Sequence, residues 1–192
     1  MAETKYQHVL GWSSPFDLVC KLENECHRME EAETLRDLVD HTMNFALTAY
    51  HMSEWVWEVV QRRLADDGDE LERADWIAAI GFEPKSPQDV RDWALSACPE
   101  LEYCRQLANA TKHLSCRGRK GAPAAEFSVA RRSKSDDEKR SFASLLDDHL
   151  SKNWRLVIVD VAGETDLVEV LQTKVWPFWS NLTWSIYIGD EA

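Results

Sequence analysis

No hydrophobic run in this 192-residue chain approaches the length needed to cross a bilayer, so membrane spans are not expected. The opening, MAETKYQHVLGWSSPFDL, lacks a basic stretch followed by an apolar one, so no secretory leader is expected and a cytoplasmic location is. The five cysteines (Cys20, Cys26, Cys98, Cys104, Cys116) are odd in number and form no C-x-x-C pair. That argues against a disulfide framework and against thiolate zinc, and reduced thiols are the expectation. There is also no G-x-G-x-x-G, no Walker lysine and no G-x-S-x-G elbow, so the common nucleotide and serine-hydrolase chemistries have no local support. No cofactor is expected.

Acidity dominates what is present. The formal charge is −12, which disfavours generic attraction to nucleic acid or to an anionic membrane. The exception is residues 117–140, RGRKGAPAAEFSVARRSKSDDEKR, where eight basic residues stand against four acidic ones. Nine tryptophans supply large rigid surfaces, for which helix packing is the plainest use.

The pattern predicts a mainly α protein: a helical bundle over 1–116, then a basic loop, a small antiparallel β element and a C-terminal helix over 117–192. All of this is expected to pack as a single domain. Ser14-Pro15 signals a helix start, with Phe16, Val19, Cys20 and Leu22 beginning its apolar face. From Thr34 to Leu64 there is no Gly or Pro, and Leu38, Phe45, Met52, Val56 and Val59 recur at helical spacing. A short helix over 69–80 is expected to stop at Gly81. Ser86-Pro87 opens another, with Val90, Trp93 and Ala94 inward, and a fifth follows Pro99. Phe127 and Val129 alternate with polar neighbours as in a strand, and WRLVIVDV (154–161) reads as a buried strand antiparallel to it. Between them, Phe142, Leu145, Leu146, His149 and Leu150 suggest a short helix. DLVEVLQ fits a returning strand as well as a helix, and a helix over about 166–188, kinked near Pro177, is favoured.

The segment LANATKHL (107–114) raises the functional question. At 100° per residue, Leu101, Cys104, Leu107, Ala108, Thr111 and Leu114 form the buried side of the fifth helix. Arg105, Asn109, Lys112 and His113 form a polar stripe beside it. On the second helix, His41, Asn44, Thr48, His51 and Trp55 form a similar edge. If the two ladders face each other, His51 and Asn44 meet Arg105, Asn109 and His113 in one network. Such a cluster either fixes helix register or performs chemistry, with His as proton carrier and Arg or Lys stabilising developing negative charge. A metal set of His41, His51, His113 and Glu54 lacks any H-x-x-x-H or E-x-x-H pair, and no metal is expected.

TAYHMSEWVW (48–57) and CPELEYCRQLANATKHL (98–114) together resemble a widespread family of uncharacterised bacterial proteins. Those pair an Ala-(Tyr/Trp)-His-x-x-(Asp/Glu)-Trp segment with a later Cys-Pro-Glu-Leu and Asn-x-x-Lys-His segment. More distantly, a helical bundle with Arg and His on one late helix resembles the HEPN superfamily, many of whose members are metal-independent ribonucleases of toxin or defence systems. That resemblance implies Arg105 and His113 as a catalytic pair, supported by Asn109, Lys112, His51, Asn44 and Glu54, often at a homodimer interface. Arg105 and His113 stand further apart in sequence than that superfamily's pair. Arg117, Arg119, Lys120, Arg131 and Arg132 are the candidate RNA-phosphate contacts. The alternative expectation is a non-catalytic interaction or accessory module, whose polar cluster is structural and whose Trp176, Trp179 and Trp184 anchor a protein partner.

Overall fold

Capping chemistry sets the first helix boundaries. The same Ser-Pro-x-Asp signal appears twice, at Ser14–Asp17 and Ser86–Asp89, and both open a helix with proline in its first turn. Proline belongs there because the missing N–H has no intrahelical partner to lose. Asp17 Oδ2 accepts from the Ser13 and Ser14 N–H groups at 2.7 and 2.9 Å, and Asp89 Oδ2 accepts from those of Lys85 and Ser86 at 2.7 and 3.0 Å. Partial burial of Asp17 opposes its charge, but those bonds outweigh it and hold its carboxyl below the ordinary 3.8. At Asp89 the Lys85 N–H lowers the carboxyl in the same way.

A carboxyl whose folded value lies below its unfolded one stabilises the fold above the unfolded value. That contribution is lost as pH falls through the folded value. Asp17→Asn is therefore expected to cost about 1 kcal/mol at pH 7. The gap from wild type should close as pH drops below 3.8 in urea titrations. An unchanged gap at low pH would remove the carboxylate from the cap.

The computed structural model describes residues 12–61, 67–113, 125–131, 154–160 and 163–188. Helices α1 (Pro15–Glu31), α2 (Leu35–Gln61), α3 (Asp67–Ile80), α4 (Pro87–Ala97) and α5 (Leu101–His113) come first. Gly81 ends α3 as expected, with φ +84° and its N–H on the Ile77 carbonyl at 2.9 Å. A side chain would strain that left-handed backbone. α2 is the hub, packing against α1, α3, α4 and α5. It can do so because its buried set is wide: Leu38, Phe45, Met52, Val56 and Val59, joined by Ala46, Ala49 and Ser53. The small residues let neighbouring backbones approach.

Three strands form an antiparallel meander: β1 (Glu126–Arg131), β2 (Trp154–Asp160) and β3 (Gly163–Asp166). Phe127 pairs with Ile158 and Val129 with Leu156, while Val157 pairs with Asp166. The central strand is buried on both faces at Leu156, Val157 and Ile158, which explains its unbroken apolar run. The short helix expected around 142–150 lies outside the described residues.

DLVEVLQ is helical, and the return strand is the preceding GETD of β3. Asp166 caps the helix, its side chain accepting from the Val168 and Glu169 N–H groups at 2.9 and 3.3 Å. The helix runs as α6 (Leu167–Val170), a π-turn (Leu171–Val175) and α7 (Trp176–Tyr187). In the π-turn the Trp176 N–H reaches back to the Leu171 carbonyl. Pro177 is the physical reason: it has no N–H to give Thr173 and its ring crowds that carbonyl, so the chain widens by one residue just before it. The disturbance expected near Pro177 takes this form. α7 then packs on α1, α2 and α3. The fold is thus mainly α, and among the described residues no helix is long and apolar enough to cross a membrane.

Candidate functional site

The inner face of α5 is as expected, with Leu101, Cys104, Leu107 and Ala108 buried against α2 and its neighbours. Thr111 begins the part of α5 whose side chains are not described. Arg105 sits beside this face with its side chain 17% exposed, and it is held on its own helix. Its Nε and Nη2 donate to the two carboxylate oxygens of Glu102 at 2.7 and 2.5 Å, a forked pair in which both groups are largely withdrawn from water. The bonds to Glu102 raise the guanidinium above its ordinary value, so it stays charged throughout.

Sequence reasoning passed over Gln106, which is 1% exposed. Its amide nitrogen donates to Glu102 Oε1 at 3.1 Å, and its carbonyl oxygen accepts from the Ala125 N–H at 2.9 Å, at the entry to β1. Glu102 therefore gathers Arg105 and Gln106, and Gln106 fixes the sheet to α5. A second tie lies one turn away. The Tyr103 hydroxyl donates to Asp160 Oδ2 at 2.5 Å and its ring meets Phe127 edge-on at 6.4 Å. Burial, then the Asp160 carboxylate, push that phenol up to about 12. The sequence carried no clear signal for Gln106, since Glu102, Tyr103, Asn109 and Ala110 are its one-turn neighbours. Only the fold shows that this amide is buried and must find partners.

The polar ladder of α2 is met by α1. His41 Nδ1 lies 3.1 Å from Glu25 Oε2, and Thr48 Oγ1 accepts from Lys21 Nζ at 2.6 Å. Glu25 is 2% exposed and also takes Arg28 Nη1 at 2.8 Å, with Lys21 Nζ 3.7 Å away. Burial pulls the Lys21 ammonium below its ordinary value, although Glu25 works the other way. The signal in the sequence was the i, i+4, i+7 series Lys21, Glu25, Arg28, running beside Leu22, Cys26 and Met29.

The remaining candidates separate. Asn44 is exposed, and its backbone carbonyl accepts from Thr48 Oγ1 at 2.8 Å. The His51 ring lies beside Tyr50, centroids 5.8 Å apart. Glu54 Oε1 pairs with Arg91 Nη2 of α4 at 2.7 Å. Asn109 is half-buried on α5. Lys112 and His113 close α5, and Arg131 closes β1, but their side chains lie outside what the structure describes, as do residues Arg117, Arg119, Lys120 and Arg132. Among the described residues no three His, Cys, Asp or Glu side chains gather as a metal site. Cys104 is fully buried, which raises its thiol far above the reactive range. Of the three C-terminal tryptophans, Trp179 is wholly in the core, Trp176 is half-buried and Trp184 is 40% exposed.

The described parts of the α5 assembly can brace a helix against a sheet and hold a permanent positive charge beside α2. The α1–α2 assembly can fix the register of two long helices. The chain matches no family model, no curated protein and no solved structure.

Proposed function

We propose that this chain is a non-catalytic helical interaction module, an accessory or regulatory subunit that works by binding a protein partner. One observation carries the reading: the guanidinium of Arg105, the strongest catalytic candidate, is forked onto Glu102 of its own helix, and that carboxylate also anchors Gln106. A guanidinium that stabilises a transition state needs donors aimed at the reacting group. Here two of its donors serve a brace between α5 and β1. The outside of the molecule offers an anchor instead. Trp184 and Ile188 lie one turn apart at the end of α7, 40% and 47% exposed, and Trp184 rests edge-on against Phe16 at 5.4 Å. Exposed tryptophan is the residue type most enriched at binding hot spots.

Two measurements test this together. Purified wild type and an Arg105→Ala, His113→Ala variant, both checked for fold by circular dichroism, are incubated with total RNA. The expected result is no cleavage that distinguishes them. Cross-linked capture from the host is then compared for wild type and Trp184→Ala, with a specific partner expected to be lost in the variant. RNA cleavage abolished only in the double variant would overturn the proposal in favour of a ribonuclease.

A further inference from the structure

A shallow groove of about 160 Å³ lies between α1 and the π-turn, remote from the α5 brace and lined by Glu23, Cys26, His27, Glu30, Gln172 and Trp176. The π-turn shapes one wall, since Gln172 belongs to it and Trp176 follows directly. Gln172 Nε2 spans the groove floor, donating to the Cys26 carbonyl at 3.4 Å and to Glu30 Oε1 at 3.2 Å. Its own carbonyl oxygen remains an acceptor. Trp176 is half-exposed while its Nε1 is buried and, among the described residues, unpartnered. What it shows to the outside is therefore ring carbon, and a cation seated over the face of that ring is drawn by its π quadrupole.

We propose that this groove binds an organic cation, an ammonium or guanidinium on a short alkyl stem. The stem lies along the Trp176 ring, the charged head sits between Glu23 and Glu30, and the Gln172 carbonyl accepts one of its N–H groups. Two carboxylates alone would be an ordinary solvated face; the concavity and the indole wall make them a site. The volume suits a small head and stem, since nucleotide and cofactor pockets run to roughly 300 Å³ or more. Charge points the same way, since a chain of net charge −12 draws cations toward its surface. His27 Nδ1 lies 3.8 Å from Glu30, so the imidazole is the neighbour that an incoming cation displaces.

The test follows the indole N–H signal of Trp176, assigned with Trp176→Phe, during titration of the full chain at low salt. The probes are n-butylammonium, n-butylguanidinium and, as the neutral counterpart, n-butanol. Saturable shifts are expected with both cations and not with butanol. Glu23→Gln and Glu30→Gln change side chains outside the core, Glu23 half-buried and Glu30 exposed, and each is expected to weaken binding about ten-fold. A capped tripeptide with a central lysine separates the sources. Binding at least as tight as the free amine identifies a polypeptide side chain, and exclusion of the peptide identifies a small amine. No saturable shift with either cation, or equal shifts in the Glu23→Gln, Glu30→Gln double variant, would overturn the proposal. Because the probes are small cations, this result is independent of whether the RNA and capture experiments succeed.

Discussion

Trp179→Ala is expected to destabilise the protein by about 4 kcal/mol, the largest effect of any single change considered. Trp179 is 0% exposed and joins α7 to α4 through Phe178 and Trp93, with ring centroids 4.7 and 6.4 Å away. Alanine removes the ring from that cluster and leaves a cavity that close-packed helices fill only in part. Trp179→Phe is the informative companion. The Trp179 Nε1 is buried without a partner among the described residues, so phenylalanine keeps an aromatic contact and deletes an unsatisfied donor. Its cost should stay below about 2 kcal/mol. Urea midpoints for the two variants decide the matter. If phenylalanine costs as much as alanine, the indole nitrogen is doing something the packing account omits. Removing residues 174–192 would therefore test stability more than binding, which is why Trp184→Ala is the cleaner probe of the proposed partner surface.

Glu25→Ala should cost about 3 kcal/mol, the lower end for breaking a buried charge pair. The lower end applies because the partners left behind are only partly buried. The side chains of Lys21, Arg28 and His41 are 27%, 55% and 29% exposed and can turn toward water. Two helices lose a common tie, since Glu25 links α1 to α2 through His41. Glu25→Gln keeps the shape and some hydrogen bonds, so it should cost less. A double-mutant cycle between Glu25 and His41 isolates the link across the helix pair. A loss under about 0.5 kcal/mol for Glu25→Ala would show that the network is bystander chemistry.

Local chemistry made much of the fold legible in the chain itself. Ser14-Pro15 and Ser86-Pro87 set two helix starts, Gly81 set a helix end, and the Gly- and Pro-free stretch around Phe45 and Met52 set the long central helix. Each of these signals acts within a few residues of its own position, and none needs a neighbour. The strand over 154–160 was equally visible, because a strand buried on both sides carries apolar residues on both.

Which polar groups meet was another matter. Helical periodicity places His41 and Thr48 on one edge of α2, but a face does not name its partner. The bundle put α1 there, and with it Glu25, while α5 kept Arg105 for Glu102. Gln106, buried and tied to the Ala125 N–H, was likewise decided by a contact distant in sequence, whereas the π-turn follows from the local chemistry of Pro177. Charge and period determine what a segment can bury; only the assembled core determines what it is buried against.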